Sequence, residues 1–368
     1  MEINYKIEKK LHKITFCHNR ESPDINKALS KLYSDKKMLV IIDKRVNKNC
    51  TKYLFKDLKK SGVKLEILKV DGNKINKNKN FLLKIIDKLI EKKFSKKSVI
   101  LSCGGGVIGD VSALAASLYL RGMIYFHIPT TMTAIVDSCI GGKTGINYKK
   151  IINSIGNYYH AQNVFISKNI INFIPKREYI AGIPEIIKCG LIHNKKILNI
   201  VLKNKNKILK KDYSILLKII SLTLKTKIIF FKDDVNENNK RLALNFGHTF
   251  AHAIEMSLLF NRDEIIRHGE AVGIGMLAEI FYSEGKNKKF KILNDLLEIY
   301  NLPTSLKKYK YLQNFKNLKN IIFKNIFLDK KRINKYPRCI KINNHKPSII
   351  EMRNNSKIKK TIEQIIVR

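Results

Sequence analysis

The sequence has no tryptophan, and only 18 glycines and 7 prolines among its 368 residues. That scarcity excludes collagen-like and low-complexity architectures. Acidic residues are also few: 30 Asp and Glu stand against 72 Lys and Arg, a formal net charge of +42. Such an excess can mark a nucleic-acid or anionic-membrane partner. Here, however, the lysines are scattered along the whole chain among Asn and Ile, as in Asn73–Asn80 (NKINKNKN) and Lys203–Lys211 (KNKNKILKK). These residue types share A/T-rich codons, so compositional drift enriches them together. No helix-turn-helix, zinc-finger or RNP pattern is present, so no specific nucleic-acid partner is expected, although a basic surface would steer an anionic substrate inward. No CxxC pair occurs among the dispersed Cys17, Cys50, Cys103, Cys139, Cys189 and Cys339, as expected of reduced thiols in the cytoplasm. The opening MEINYKIEKKLHKITF lacks the apolar core of a signal peptide. No stretch reaches the roughly 18 uninterrupted apolar residues of a membrane span, so a membrane partner is not expected either.

The apolar fraction of 44% is enough to bury a core, and the length predicts two domains. Short apolar runs at Met38–Asp43 (MLVIID), Leu65–Val70 (LEILKV), Ser98–Ser102 (SVILS), Met123–Ile128 (MIYFHI) and Val164–Ser167 read as buried strands separated by helical stretches such as Asn80–Lys93. This alternation predicts a doubly wound α/β domain over residues 1–172. Beyond residue 172 strand-like runs give way to long Leu/Ile/Lys segments with helical spacing, among them Tyr213–Phe231 and Gly269–Glu284. They predict an all-α domain over residues 173–368. The last thirty or so residues are basic and weakly patterned.

Several constellations carry chemistry. Gly104-Gly105-Gly106-Val107-Ile108-Gly109-Asp110 joins a strand to a helix. Glycines there let backbone N–H groups approach a pyrophosphate, although a tight packed turn would use the same residues. Asp43 ends a strand, where an acid can grip a ribose. Pro129-Thr130-Thr131 and Asp137…Gly141-Gly142-Lys143-Thr144 offer hydroxyls and an ammonium beside exposed amides, which suits a phosphate. A Walker loop would need an earlier glycine that is absent. Glu185 and Lys188 lie three apart on a predicted helix; taken alone, the pair reads as a surface ion pair. His248 and His252, at i and i+4, share a helix face and can meet one metal or one substrate, and His268 opens another helix. With Glu185 these imidazoles offer a ligand set for a catalytic metal.

Taken in order, GGGVIGD, PTT, VDSCIGGKTGIN, PEIIKCG, RLALNFGHTFAHAIE, HGEAVGIGM and the late Asp329-Lys330-Lys331 resemble the 3-dehydroquinate synthase family, closely from about Ser102 to Ala278. The resemblance implies a dehydroquinate synthase-like fold, with a Rossmann-like domain holding NAD followed by a helical domain holding Zn2+ or Co2+. It implies conversion of 3-deoxy-D-arabino-heptulosonate 7-phosphate, a small phosphorylated sugar acid, to 3-dehydroquinate and phosphate. The family does this by transient oxidation, β-elimination of phosphate, return of the hydride and aldol closure, so NAD is regenerated. Metal ligands are implied at Glu185, His248 and His268, with His252 turned instead to the substrate phosphate. Phosphate and substrate contacts are implied at Lys143, Asn153, Asn245, His252 and one of Lys330 and Lys331. The substrate carboxylate is implied at a buried cationic pair, Lys225 and Arg241, and the ring hydroxyls at Asp137 and Lys188. Arg121 is implied to be lent across a homodimer. The NAD cradle is implied at Gly105, Gly106, Val107, Ile108, Gly109, Asp110, Thr130 and Thr131, with Asp43, Asp71, Gly72 and Lys143.

Three positions depart from the family pattern. Ile152 stands where a cofactor-contacting lysine is expected, with Lys149 and Lys150 nearby. The loop Asp71-Gly72-Asn73-Lys74-Ile75-Asn76 lacks the charges expected at Asn73 and Asn76. Ile171-Asn172-Phe173 replaces an adenine-side Leu-Lys-Thr. The expectation is weakened NAD affinity with the chemistry preserved.

Overall fold

The computed structural model describes residues 1–17, 37–49, 62–149, 151–258, 265–309, 317–328, 336–343 and 346–367. The chain forms two compact units, Met1–Tyr179 and Ile180–Arg368. Lys330 and Lys331 lie outside the described residues. Among the described residues no helix is long and apolar enough to cross a membrane.

The first unit is built on a seven-stranded sheet. Its strands are β1 (Glu2–Ile7), β2 (Lys10–Cys17), β3 (Lys37–Asp43), β4 (Lys64–Val70), β5 (Val99–Gly104) and β6 (Ile124–Pro129). A separate hairpin, β7 (Lys143–Tyr148) and β8 (Ile151–Tyr158), precedes the seventh sheet strand, β9 (Asn163–Ser167). The sheet order is β1-β2-β9-β6-β5-β3-β4. Every pairing is parallel except the antiparallel β1/β2 edge. Central strands such as β3 and β5 are buried along nearly their whole length, which follows from their continuous apolar sequence and from cover on both faces. Met38, Val40, Ile42, Leu101, Cys103, Phe126 and Phe165 fill one core cluster. At the edge, β1 alternates exposed and buried residues, so one face meets solvent.

The strand order reverses between β3 and β5, because β4 lies on one side of β3 and β5 on the other. In open α/β sheets ligands bind beyond the carboxyl ends of strands at such a switch point. Asp43 and Gly104 are the last residues of those two strands, which run in parallel register with Ile42 opposite Cys103.

The second unit is helix-rich. A β-hairpin, β10 (Arg338–Asn343) with β11 (Lys346–Glu351), precedes the last helix, Asn355–Val367. These two strands correct the expectation of a purely helical domain. Their Lys, Asn and Arg content masks any apolar alternation. The hairpin is anchored by the fully buried Glu279, whose carboxylate accepts from Ile340 N at 2.8 Å and Thr249 N at 3.3 Å.

Helix His248–Leu258 crosses helix His268–Glu284 closely, and glycines make that approach possible. Gly247 has φ +85°, and a Cβ there would sit 2.6 Å from Met276 Cγ and 2.8 Å from Met276 N. Gly269 leaves no room for a Cβ against the Ala181 carbonyl. Gly247→Ala is therefore expected to destabilise the unit by roughly 3 kcal/mol, combining left-handed strain with a backbone clash. Urea unfolding of the variant checks this, and an unchanged midpoint would show that the crossing has slack.

Candidate metal and cofactor sites

In the second unit, Glu185 and Lys188 lie on helix Ile183–Ile192. They are not the surface ion pair that their spacing suggests. Both side chains are 1% exposed, and Lys188 Nζ lies 2.5 Å from Glu185 Oε2. The other oxygen, Oε1, is 3.7 Å from His248 Nε2 and 3.7 Å from His268 Nε2. Ligand atoms of all three residues fall within 4.8 Å of one another. Ligands on a tetrahedral zinc, at about 2.1 Å each, are about 3.4 Å apart.

The imidazoles are held from behind. His248 Nδ1 lies 3.2 Å from the Phe246 carbonyl, and His268 Nδ1 lies 3.1 Å from Glu255 Oε2. Each acceptor requires a proton on Nδ1, which leaves an Nε2 lone pair facing Glu185. Lys188 meets Oε2, while Oε1 is buried and accepts no hydrogen bond among the described residues. A buried carboxylate oxygen in that condition, facing two imidazole lone pairs, is suited to coordinating a cation. The donor set, one carboxylate and two neutral imidazoles, fits a zinc-like ion with an open position. Glu255 was not singled out from the sequence. It sits seven residues after His248 on the same helix face, which was the available signal.

His252 stays close to this group, its ring centroid 5.5 Å from that of His248 and 6.3 Å from that of His268, although it is not one of the three grouped residues. The i, i+4 spacing alone favours His248 and His252 as the ligand pair, whereas the grouped side chains include His268 in place of His252. Asn245 is buried and donates to Glu237 Oε1 at 2.6 Å. Arg241 is 3% exposed, donates to the Val235 carbonyl at 2.7 Å, and lies with Cζ 5.5 Å from the Phe231 ring centroid. Lys225, expected beside it in a buried cationic pair, is exposed. The buried lysine of helix Tyr213–Phe231 is Lys227, at 5%. Lys227 and Phe231 are four apart and share the face that Arg241 covers.

In the first unit, the glycine turn follows β5, and Gly105 caps helix Gly106–Leu118. Thr130 N donates to the Gly104 carbonyl at 3.0 Å. A Cβ at Gly105 would stand 3.0 Å from Thr131 Cγ2, and one at Gly106 3.3 Å from Ser138 Oγ. The turn is thus bare backbone beside two threonines, a cradle that any larger residue would fill. Ile108 and Gly109 face inward, and Val107 is half-buried. Gly109 packs against His127, where a Cβ would be 3.1 Å from the ring. Beneath the turn, Ser102 Oγ bonds Tyr125 OH at 2.8 Å and His127 Nδ1 at 2.7 Å. Burial brings the His127 imidazole down to about 4, so the ring is neutral at physiological pH.

Asp43 is 5% exposed, and its carboxylate binds the Arg45 guanidinium at 2.9 Å. Gly72 packs directly against Asp43, while Asp71 accepts from Asn73 N and Nδ2. Asp137 sits half-buried in a π-helical turn, Ala134–Ser138. Lys143 begins β7, exposed, and Ile152 and Asn153 lie half-buried on β8. Arg121 is exposed with φ +61°, next to Leu120 at φ +49°.

An α/β unit with a glycine cradle, and a helix-rich unit with a Glu-His-His cluster, define the class of dehydroquinate synthase-like enzymes. The fold matches ValA, a 2-epi-5-epi-valiolone synthase from Streptomyces hygroscopicus subsp. jinggangensis described with NAD+ and Zn2+ bound, at TM-score 0.84 and 19% identity over 98% of each chain. It also matches a 2-deoxy-scyllo-inosose synthase complexed with carbaglucose-6-phosphate, NAD+ and Co2+, at TM-score 0.80 and 23% identity over 100% of each chain. At those identities the likeness is one of fold. Sequence goes further. The 3-dehydroquinate synthase N-terminal family matches residues 67–181 and its C-terminal family residues 182–332. The 3-dehydroquinate synthase of Prochlorococcus marinus subsp. pastoris (strain CCMP1986 / NIES-2087 / MED4) is 36% identical over 304 residues, 81% of each chain. This chain belongs to the 3-dehydroquinate synthase family.

Proposed function

We propose that this protein is a 3-dehydroquinate synthase, converting 3-deoxy-D-arabino-heptulosonate 7-phosphate to 3-dehydroquinate and phosphate in the shikimate pathway, with NAD and a zinc or cobalt ion. The observation that carries the reading is the convergence of Glu185, His248 and His268 in a chain of this family. When bound, the dinucleotide supplies a reversible hydride acceptor and the metal a Lewis acid that acidifies the substrate alcohol.

The chain's own groups bind and orient. Lys188 holds Glu185 by Oε2 and leaves Oε1 toward the imidazoles. Glu255 and the Phe246 carbonyl fix the histidine tautomers. Lys188 and Asp137 take ring hydroxyls, while Lys143, Asn153, Asn245 and His252 take the phosphate side. For the carboxylate the burial pattern favours Lys227 with Arg241 in place of Lys225, because two cationic side chains on one buried face suit an anion. The cofactor falls to Gly105–Asp110, Thr130 and Thr131, with Asp43, Asp71, Gly72, Lys143 and Ile152 at its periphery. Arg121 is assigned to a partner's site in a homodimer. Its exposure, its left-handed backbone and the exposed Leu118 and Leu120 beside it suit a contact surface.

The test is phosphate release from the heptulosonate phosphate with NAD present, with and without a chelator. Phosphate release without NADH accumulation, lost on chelation and restored by zinc or cobalt, is the expected outcome. Steady NADH accumulation from a polyol would identify a simple dehydrogenase instead, and release from a heptulose phosphate lacking the carboxylate would identify a different cyclase.

A further inference from the structure

The two cations assigned to the substrate carboxylate come from different elements. Lys227 lies on helix Tyr213–Phe231, and Arg241 lies in the turn Lys240–Asn245. The segment between them, residues 232–239 (KDDVNENN), has neither glycine nor proline. No residue with an unusually free or preset backbone therefore shapes it. Glu237 nevertheless takes a left-handed backbone, φ +60°, which is unfavourable for a residue bearing a Cβ. Its neighbours must hold it there.

Asp234 supplies that hold and is 8% exposed. Its Oδ1 accepts from Asn238 N at 2.9 Å, and its Oδ2 accepts from Asn239 N at 2.9 Å and Arg241 N at 2.8 Å. Its carbonyl accepts from Glu237 N at 3.2 Å, and its own N–H donates to the Phe231 carbonyl at 3.1 Å. One residue thus ties the end of the Lys227 helix to the backbone of Arg241. Arg241 is gripped at both ends, its N–H by Asp234 and its guanidinium by the Val235 carbonyl at 2.7 Å. Bonds from backbone N–H groups to a carboxylate are charge-assisted, and burial strengthens them. The adjacent Asp233 is a built-in contrast: its side chain is 61% exposed and pairs with Lys240 Nζ at 2.8 Å on the surface.

We propose that Asp234 is a positioning residue for substrate binding, whose carboxylate folds residues 234–241 so that Arg241 is presented on the face that carries Lys227. This rests on the reading of Arg241 and Lys227 as the carboxylate site. Asp234 acts through Arg241 and meets no substrate itself.

The test is steady-state kinetics with the heptulosonate phosphate on wild type, D234N, D234E, D233N, R241A and D234N/R241A. NAD titration, metal content and thermal unfolding accompany each variant. D234N keeps the size of the side chain but exchanges one acceptor oxygen for a donor, so at least one of the three bonds is lost. It is expected to raise the substrate KM about tenfold and to hold kcat within about threefold, with NAD affinity and metal content unchanged. D233N should change KM by less than about twofold. In the R241A background D234N should add less than about twofold, because the residue it acts through is gone. A wild-type KM in D234N would overturn the proposal. So would a D233N as damaging as D234N, and so would a full tenfold effect on top of R241A, which would mark a role not routed through Arg241. Should D234N fail to fold, D234E decides, since it keeps the charge at a longer reach: a KM raised about threefold supports the proposal and an unchanged one overturns it. R241A with a wild-type KM would sink the carboxylate reading and the proposal with it, a pattern distinct from a silent D234N beside a damaging R241A.

Discussion

His268→Ala is expected to abolish metal binding and turnover together. The wild-type chain should retain about one ion per chain through dialysis, and the variant close to none. Turnover should fall by about three orders of magnitude or more, because two remaining donors cannot hold an ion in an open catalytic geometry. The structure makes the loss specific. His268 is partly exposed and opens its helix, so alanine there deletes an imidazole without emptying a packed core. Glu185 Oε1 would then face His248 alone, with Oε2 still held by Lys188, and added zinc should not restore activity at moderate concentration. Glu255→Gln provides the graded companion. It keeps the shape behind His268 Nδ1 and removes the charge that raises the ring's basicity, so metal affinity should drop by roughly 10–100-fold with the chemistry intact in excess metal. Metal analysis and turnover on the same preparations check both variants. Full metal content and activity in the alanine variant would remove His268 from the ligand set.

What the sequence disclosed follows from how each element is solvated. Strands β3, β5 and β6 are covered on both faces, so they appear as unbroken apolar runs and were legible. The β1/β2 hairpin was not, because an edge strand interleaves Lys and Glu with Ile3, Tyr5 and Ile7, and in so basic a chain that alternation is inconspicuous. The β7–β8 hairpin was likewise hidden. The sequence shows a Gly-Gly-Lys turn, and only the pairing of Lys143 through Tyr148 with the exposed β8 makes a ribbon of it. The cluster of Glu185, His248 and His268 brings together three separate helices. Spacing could offer the local His248–His252 pair, but the long-range grouping depends on glycines that let two helices close up.

Lys227→Ala should cost far more than Lys225→Ala, and the contrast is the sharpest test of how the substrate is held. At about 100° per residue, two positions along a helix amount to a rotation of about 200°. Lys225 and Lys227 therefore project to opposite sides of helix Tyr213–Phe231, one into solvent and the other into the buried face beneath Arg241. A buried ammonium in a charge-assisted bond to a carboxylate contributes about 1.5–3 kcal/mol, so its removal should raise the substrate KM by roughly 10–150-fold. Lys225 is a solvated surface charge, and its loss should change KM by less than about twofold. Arg241→Ala should resemble Lys227→Ala, and the two together should lose less than the sum of the single effects, since each cation serves the same anion. NAD affinity should be unchanged in all of them. Steady-state kinetics on the four variants, with NAD titration beside them, separates the cases. If Lys225→Ala proved to be the damaging change and Lys227→Ala silent, the carboxylate would have to be met on the solvent side of that helix, and the buried cationic face would need another occupant.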